Sequence, residues 1–372
     1  MKNNMLSKVC VHIVIGAMLV MIPIQSWAAG VAAKNINLKD AVDTATSTDT
    51  SIKLIDDKIK LAEDRYQEAL TESKTVTPNS WDTDAEHIAA MKQQTLYPVQ
   101  KQSDIDELKW EKDDAAKQLQ LDITQLYNQI LLKQKSMDLQ VDAIRSAKDQ
   151  YNSANSQVQA GVTTETTLLP LDIAIQEAET TLTTLQRDKD KLVMDLDKKL
   201  GLDISQPLIL TDVAIPHDEF SVADIDKLVA DVVPTAHSVT KLENDKTLDE
   251  KEYGILMGYS ALKKPDGEED LEDKILNLDY SIRDEKVAVE YKIRSDYNSI
   301  LNLYDDIAIK KMDCDKTQKL LDVAKVKYDI GNIDFLDYMK ALSDVNNASE
   351  AYEQSWLDYY TAVLNFKNYI GK

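Results

Sequence analysis

The sequence has little glycine and proline, which argues against a fold with many turns. Only 9 of its 372 residues are Gly and only 8 are Pro. A fold built from many strands needs far more of these residues to punctuate its connections. The charged fraction of 29% suits long helices that keep one face in water. We therefore expect helix to dominate the structure.

Positive charge is also scarce. The chain carries 43 Lys and Arg against 65 Asp and Glu, a formal net charge of -22. Lysine and arginine clusters are what bind phosphate groups and anionic membrane surfaces. This balance predicts no nucleic-acid partner and no anionic-lipid partner.

Residues that carry catalytic or metal chemistry are few and scattered. Cys10 lies in the N-terminal segment described below, so Cys314 is the only thiol expected in the mature chain and no internal disulfide is possible. Cys314 falls on an apolar helical seam, as a small buried hydrophobe does. His87, His217 and His237 have no second ligand at helical spacing. No phosphate-binding glycine loop, nucleophile elbow or cysteine pair occurs, so we expect no enzyme, cofactor or metal site.

The N-terminus has the pattern of a signal peptide. Lys2 and Lys8 precede an apolar run over residues 9–24, and Ser26-Trp27-Ala28 places small residues where signal peptidase inspects the chain. We predict that residues 1–28 are removed and that the mature protein is exported. The alternative is an uncleaved membrane anchor, although this apolar run is short for a span, which needs about 20 residues.

Long apolar seams organise the rest of the chain. From Tyr328 to Ile370 the apolar positions alternate steps of three and four, which is typical of a left-handed coiled coil. A second series recurs every seventh residue upstream and ends at Gly331, where the pattern has to reverse. These patterns predict a helical hairpin with its tip at Gly331. The downstream positions are Phe335, Tyr338, Leu342, Val345, Ser349, Tyr352, Trp356, Tyr359, Val363, Phe366 and Ile370, and the upstream positions are Ile293, Ile300, Ile307, Cys314, Leu321 and Tyr328.

The same hairpin occurs twice in the sequence. One constant shift along the chain places Ile130 on Ile300 and Gly161 on Gly331. Matched heptads can arise by chance between coiled coils, but turns in register point to an internal repeat. We predict an all-α fold of two long antiparallel coiled-coil hairpins with little or no β structure. After the signal peptide, the first repeat should cover residues 29–216 and the second residues 217–372.

Within the first repeat the pattern predicts four helices, a possible fifth and a short strand. A helix capped by Asn37 precedes one of about twenty residues, and a short helix is possible from Asp84 to Leu96. A long helix of about 58 residues then starts near Gln102, and a return helix ends at Gly201, before the strand-like run Leu208-Ile209-Leu210.

The two copies of the hairpin should differ in length. Toward their N-terminal ends the match is between Asn37 and Ser221, a larger shift than the one that aligns the tips. The second copy should therefore be the shorter one, with its deficit between the short and long helices.

This arrangement resembles the TolC-like outer-membrane efflux proteins. The doubled unit of short helix, long helix, Gly-marked turn and return helix carries the resemblance, together with the segments 328–337 and 200–208. It extends from about Asn37 to Gly371. The resemblance implies a homotrimer that encloses a tube in the cell envelope. It also implies that the hairpin tips dock a periplasmic-adaptor-like (membrane fusion) protein belonging to an exporter.

The sequence departs from that family between the short and long helices. Family members insert strands there that three protomers pool into a membrane barrel, and each such strand needs about 9 to 11 residues of alternating polarity. Residues 71–103 and 255–272 show no such alternation. We therefore expect an all-helical relative. This departure leaves open a second function, a secreted or cell-surface structural or binding coiled coil that forms no conduit.

The hairpin tips are the candidate functional site, because turns held at the ends of rigid arms often carry binding residues. The alternative is that the tip glycines only supply backbone angles at a reversal. The resemblance implies that Asp337 helps to constrict the tube entrance, with weakened charge because Lys340 and Thr167 stand where the family has acids. Asp337 could equally be an acid favoured at a helix start. The candidate residues are Gly161, Val162, Thr163, Gly331, Asn332, Ile333 and Asp337.

Overall fold

The computed structural model describes residues 34–77, 83–204, 207–211, 216–258 and 267–371. The predicted signal peptide and its cleavage site lie outside the described residues. The structure is 87% helical, which confirms the all-α prediction. Its elements are β1 (Lys34–Ile36), α1 (Leu38–Thr48), α2 (Thr50–Thr75), α3 (Asp84–Met91), a π-helical turn (Lys92–Leu96), α4 (Tyr97–Gln159), a 3-10 turn (Glu165–Thr167), α5 (Leu168–Leu200), β2 (Leu208–Leu210), α6 (Ile225–Val232), a 3-10 turn (Val233–Thr235), α7 (His237–Gly258), α8 (Glu268–Asp329) and α9 (Phe335–Tyr369).

Two antiparallel hairpins form the body of the molecule. In the first repeat α4 packs against α5, with α1 and α2 beside α4. In the second repeat α8 packs against α9, with α6 and α7 beside α8. The predicted seam residues are buried or half-buried: Ile130 and Ile300, equivalent in the two repeats, are 2% and 1% exposed, whereas Cys314, predicted to be buried, is half-buried. The coiled-coil spacing therefore identified the core face of both hairpins correctly.

The short helices begin at side-chain caps, as the sequence predicts for the first of them. Asn37 Oδ1 accepts a hydrogen bond from Asp40 N at 2.8 Å. In the second repeat the equivalent cap is Asp224, whose Oδ1 accepts from Lys227 N at 3.0 Å. The predicted match of Asn37 with Ser221 is therefore wrong. Because the true equivalent lies further along the chain, the second repeat is shorter than the sequence indicated.

The long helix of the first repeat begins earlier than the sequence indicated. α4 has 63 residues and starts at Tyr97, because Pro98 lies in its first turn, where a missing N–H costs no helical hydrogen bond. The predicted short helix from Asp84 is α3 followed by the π-helical turn, so helical structure continues from Asp84 to Gln159.

The described parts of the regions between short and long helices are mostly helical and contain no strand. α2 extends to Thr75 and α3 begins at Asp84, with residues 78–82 outside the described part. α7 extends to Gly258 and α8 begins at Glu268, with residues 259–266 likewise outside it. None of the described helices is long and apolar enough to cross a membrane.

A small parallel sheet lies where the chain passes between the repeats. β1 pairs with β2, with Asn35 opposite Ile209, so the strand-like run at Leu208 is confirmed and β1 is an addition. The Tyr127 hydroxyl lies 2.7 Å from Thr211 O and 3.1 Å from Ile36 O, and it fastens this sheet to α4. Tyr127 occupies the position in the first repeat that Tyr297 occupies in the second.

Candidate docking site at the hairpin tips

Both tips are built from the same local structure. α4 ends at a left-handed Gly161 with φ of 71°, and α8 ends at a left-handed Gly331 with φ of 74°. The residue after each glycine donates its N–H to the carbonyl five residues earlier, Val162 to Gln157 at 2.9 Å and Asn332 to Lys327 at 2.8 Å. This bonding satisfies carbonyls at the helix end, and glycine adopts the required angle without strain.

The two tips differ in the turn that follows. Asp334 Oδ1 accepts from Asp337 N at 2.9 Å, so α9 starts directly at Phe335. The position equivalent to Asp334 is Thr164, whose hydroxyl contacts Thr166 at 2.7 Å and makes no cap hydrogen bond within the described chain. The first tip therefore forms a 3-10 turn before α5 begins at Leu168. At the second tip the side chain at this position caps the helix, whereas at the first tip the equivalent hydroxyl contacts Thr166 instead.

The candidate residues occupy the outer surface of the two turns. Val162 is 75% exposed, and Gly161, Gly331, Asn332 and Asp337 are also exposed. Thr163 and Ile333 are half-buried. Two more apolar side chains near the tips, Leu169 and Ile330, are 66% and 67% exposed. Each tip thus presents apolar surface to solvent.

The structure brings the two tips side by side. A core cluster spans both hairpins and combines Ala147, Leu171 and Ile175 of the first with Phe335 of the second. Tyr328 of α8 packs against this cluster, and its hydroxyl donates to Gln150 Oε1 on α4. The sequence placed Tyr328 on the seam correctly but gave no sign of Gln150 as its partner. A contact between separate repeats leaves no periodic signal in the chain.

The second tip carries an acid at the start of α9. Asp337 lies in the first turn of α9, where the helix dipole favours a carboxylate. Burial, Asp329 and Tyr338 together raise the pKa of the Tyr328 phenol, so this hydroxyl stays protonated and able to donate at physiological pH. The Tyr338 ring stacks on Tyr328 with 5.6 Å between ring centroids.

No group of three or more His, Cys, Asp or Glu residues in the described part of the chain could hold a metal ion.

The C-terminal aromatic residues pack along the seam, as the sequence predicted. Trp356 and Tyr359 are buried, and Tyr338 and Tyr352 are half-buried.

Comparison with solved structures shows what this fold is similar to. The CmeC outer-membrane channel of Campylobacter jejuni aligns with a TM-score of 0.64 at 12% identity, over 93% of this chain and 90% of its own. The outer-membrane protein VceC of Vibrio cholerae gives 0.64 at 11% identity, over 90% and 96%. The MtrE outer-membrane channel of Neisseria gonorrhoeae, in its open state, gives 0.61 at 11% identity, over 90% and 88%.

No protein-family model matches the sequence, and no curated protein matches it. The similarity is therefore one of fold, and it extends over nearly the whole length of each channel. The chain has the TolC-like fold of two long helical hairpins, which confirms the resemblance drawn from its repeats and tip glycines.

Proposed function

We propose that this TolC-like chain is an exported component of an efflux or export system in the cell envelope. Three copies associate side by side into a helical tube. Their hairpin tips dock a periplasmic-adaptor-like (membrane fusion) protein that works with an inner-membrane transporter. The similar structures CmeC and MtrE are outer-membrane channels, and the predicted signal peptide supports export.

A long apolar stripe on α8 carries this proposal. The stripe is exposed although it lies on a helix whose other side is buried against α9. It runs from Leu276 to Ile330, about 80 Å at 1.5 Å per residue. Its exposed members are Leu276, Tyr280, Val287, Tyr291, Leu301, Ile309, Met312, Leu320, Val323, Val326 and Ile330.

The stripe faces away from the hairpin's own core. Val287 is 67% exposed, whereas Val289 is 1% exposed. Two residues are about 200° apart around a helix, so these side chains point to opposite sides of α8. The hairpin therefore cannot cover the stripe itself. Apolar surface of this extent marks an interaction site, and a rod-shaped partner is needed to cover it along its length.

A second copy of this chain is the partner that fits best. Its helices are as long as the stripe, and the first repeat exposes apolar residues of its own along α2 and α5. Lateral pairing of such faces closes a ring when the same contact repeats around an axis. The exposed residues on the first repeat include Leu54, Leu61, Leu169, Ile173 and Met194.

Charge substitution on the stripe tests the assembly. Val287→Glu should convert a trimer of the mature chain into monomers, since a carboxylate buried in an apolar interface has no partner. Ala288→Glu adds the same charge to the neighbouring exposed residue, off the stripe, and should leave the trimer intact. Native mass spectrometry or light scattering measures the mass. A wild-type monomer, or a trimer insensitive to Val287→Glu, contradicts the proposal.

Substitution at the tips tests the docking step separately. Val162→Asp, Asn332→Lys and Ile333→Asp should abolish binding of a folded adaptor while helicity and oligomer mass stay unchanged. Gln67→Asp, at an exposed site on α2 away from the tips, is the control and should bind normally. Unchanged adaptor affinity in all three tip variants would remove the docking claim. A stable trimer that binds no adaptor would favour the structural coiled-coil function without a conduit.

A further inference from the structure

The seam between the repeats is polar where α4 meets α7. Lys241 Nζ of α7 lies 2.6 Å from Glu107 Oε1 of α4, and just before α4, in the π-helical turn, Lys92 Nζ lies 2.6 Å from Glu252 Oε1 of α7. Among the described residues, neither main core cluster extends across this contact: the buried residues of one come from β1, α1, α2, α4 and α5, and those of the other from α6 to α9. Ion pairs therefore join the two repeats at this contact, whereas apolar packing holds the helices together within each main core cluster.

A histidine lies at the centre of this seam. His237, the first residue of α7, stacks on the Trp110 indole of α4 with 3.6 Å between ring centroids and 4° between planes. Its Nε2 lies 3.1 Å from Glu107 Oε2. Cavities of about 540 Å³ and 200 Å³ lie along the contact and share His237 in their walls.

The charges facing His237 from α4 are mostly negative. Residues 104–114 hold six acids and two lysines, and both lysines pair with acids of α2, Lys109 with Glu63 and Lys112 with Asp56. The acids of this segment are Asp104, Asp106, Glu107, Glu111, Asp113 and Asp114.

The lysines near His237 oppose a positive charge on its ring, but each of them is paired with an acid. Lys241 bonds the other oxygen of Glu107, and Lys117 bonds Asp113 at 2.6 Å. Asp245 and Glu111 add negative charge beside Lys241. The N-terminal end of α7 opposes a positive charge on its first residue by about 0.3–1 kcal/mol. The carboxylate at 3.1 Å and the indole face both favour the imidazolium.

We propose that His237 makes the seam between the repeats a pH-sensitive latch. Histidine is the side chain that changes charge between about pH 5 and 8. When His237 is protonated, Glu107 holds it through an ion pair and Trp110 through a cation–π contact, so α4 and α7 are held closed. When His237 is neutral, the ion pair is lost and the seam loosens. Mild acid therefore tightens the contact between the two repeats.

Tryptophan emission reports the latch directly. In the mature chain with Trp81→Phe and Trp356→Phe, Trp110 is the remaining tryptophan, because Trp27 lies in the predicted signal peptide. Its emission should fall as the pH drops from about 8 to about 5, since a stacked imidazolium, formed over that range, quenches an indole. Glu107→Gln removes the ion pair but keeps the stack, so it should weaken the acid-dependent tightening without abolishing the quenching. Emission that does not change with pH overturns the proposal.

Stability of the full mature chain provides the second measurement. Between about pH 7.5 and 5.5 the wild type should gain about three- to tenfold in its folding equilibrium relative to His237→Gln. His217→Gln is the matched control. His217 also stacks on a tryptophan, Trp356 at 4.3 Å, but forms no ion pair in the described part of the chain, so its substitution should not remove the acid-dependent gain. An equal gain in His237→Gln and wild type overturns the latch.

Discussion

Asp197 is a buried carboxylate beside the glycine that ends α5. Asp197 is 0% exposed, and neither of its carboxylate oxygens has a hydrogen-bond partner among the described residues. Burial, together with the nearby Asp203, raises its pKa to about 6 from an ordinary value of 3.8. The folded protein therefore binds a proton at Asp197 more tightly than the unfolded chain does. Its contribution to stability is fully present below about pH 4 and is lost as the pH rises through about 6.

Asp197→Asn should therefore stabilise the protein at neutral pH and leave it unchanged in acid. At about pH 7.5 the expected gain is about 1–3 kcal/mol, because the amide carries no charge whereas the buried carboxylate must be desolvated to ionise. Chemical denaturation at neutral pH and near pH 4 measures the free energy of unfolding. Asp203→Asn, at an exposed site, should give a smaller gain. If Asp197→Asn and wild type are equally stable at neutral pH, the Asp197 carboxylate does not destabilise the folded protein there.

The equivalent seam residues Ile130 and Ile300 should be among the most sensitive to truncation. Replacing either with Ala removes buried methylene groups and leaves a cavity, at a cost of about 2–5 kcal/mol. Val141→Ala is the control, because Val141 lies on α4 away from the α8 stripe, is 42% exposed and should cost less than about 1 kcal/mol. Thermal unfolding measures the difference. If both isoleucine variants have the same melting temperature as the wild type, the assigned core face is wrong.

For single residues, the repeat in the sequence identifies important positions but not all of their hydrogen-bond partners. The segment 127–131 repeats at 297–301, and the structure supplies a reason for the tyrosine that begins each copy. Tyr127 bonds the sheet at Thr211 and Ile36, and Tyr297 accepts a hydrogen bond from Val222 N at 3.2 Å. Each tyrosine fastens the segment that crosses its long helix. The partners are distant in sequence and follow no period, so the repeat revealed the tyrosines but not their bonds.

Among the elements, the second tip depends on the Asp334 cap. Asp334→Ala should destabilise the hairpin by about 1 kcal/mol, the typical value of a lost N-cap, and should lengthen the turn toward the form seen at the first tip. Thr164→Ala removes the equivalent residue, which makes no cap bond within the described chain, and should cost less. Chemical denaturation measures both. Equal costs at the two positions would contradict the assignment of Asp334 as the cap.

Helices and turns were predictable to the extent that local chemistry specifies them. Heptads located α4, α5, α8 and α9, and the tip glycines located their turns. The start of α4 was missed because Pro98 looks like a break until its place in the first turn is known. The strand β1 was missed because so short a strand carries too little pattern, and its partner β2 lies beyond the whole first hairpin in the sequence.

Over the whole molecule, each repeat has its own core. The first main cluster draws on residues 36–210 and the second on residues 220–370. A fragment of residues 29–216 should therefore be helical and should unfold cooperatively, as measured by circular dichroism. A fragment of residues 29–160, which lacks α5, should be much less helical because the seam of α4 has lost its cover. The boundary between the repeats at residue 216 stays a prediction, and an unfolded 29–216 fragment would contradict it.

The Gly-marked hairpins also set the order in which the chain can fold. The arms of each hairpin are adjacent in sequence, so the contacts that join α4 to α5 need no residue beyond Leu200. Contacts of short sequence separation form fastest, because little loop entropy is lost before they form. A chain made from its N-terminus can complete the first hairpin while the second is still being synthesised. The contact of Tyr328 with Gln150 must then come late, as the step that joins two preformed halves.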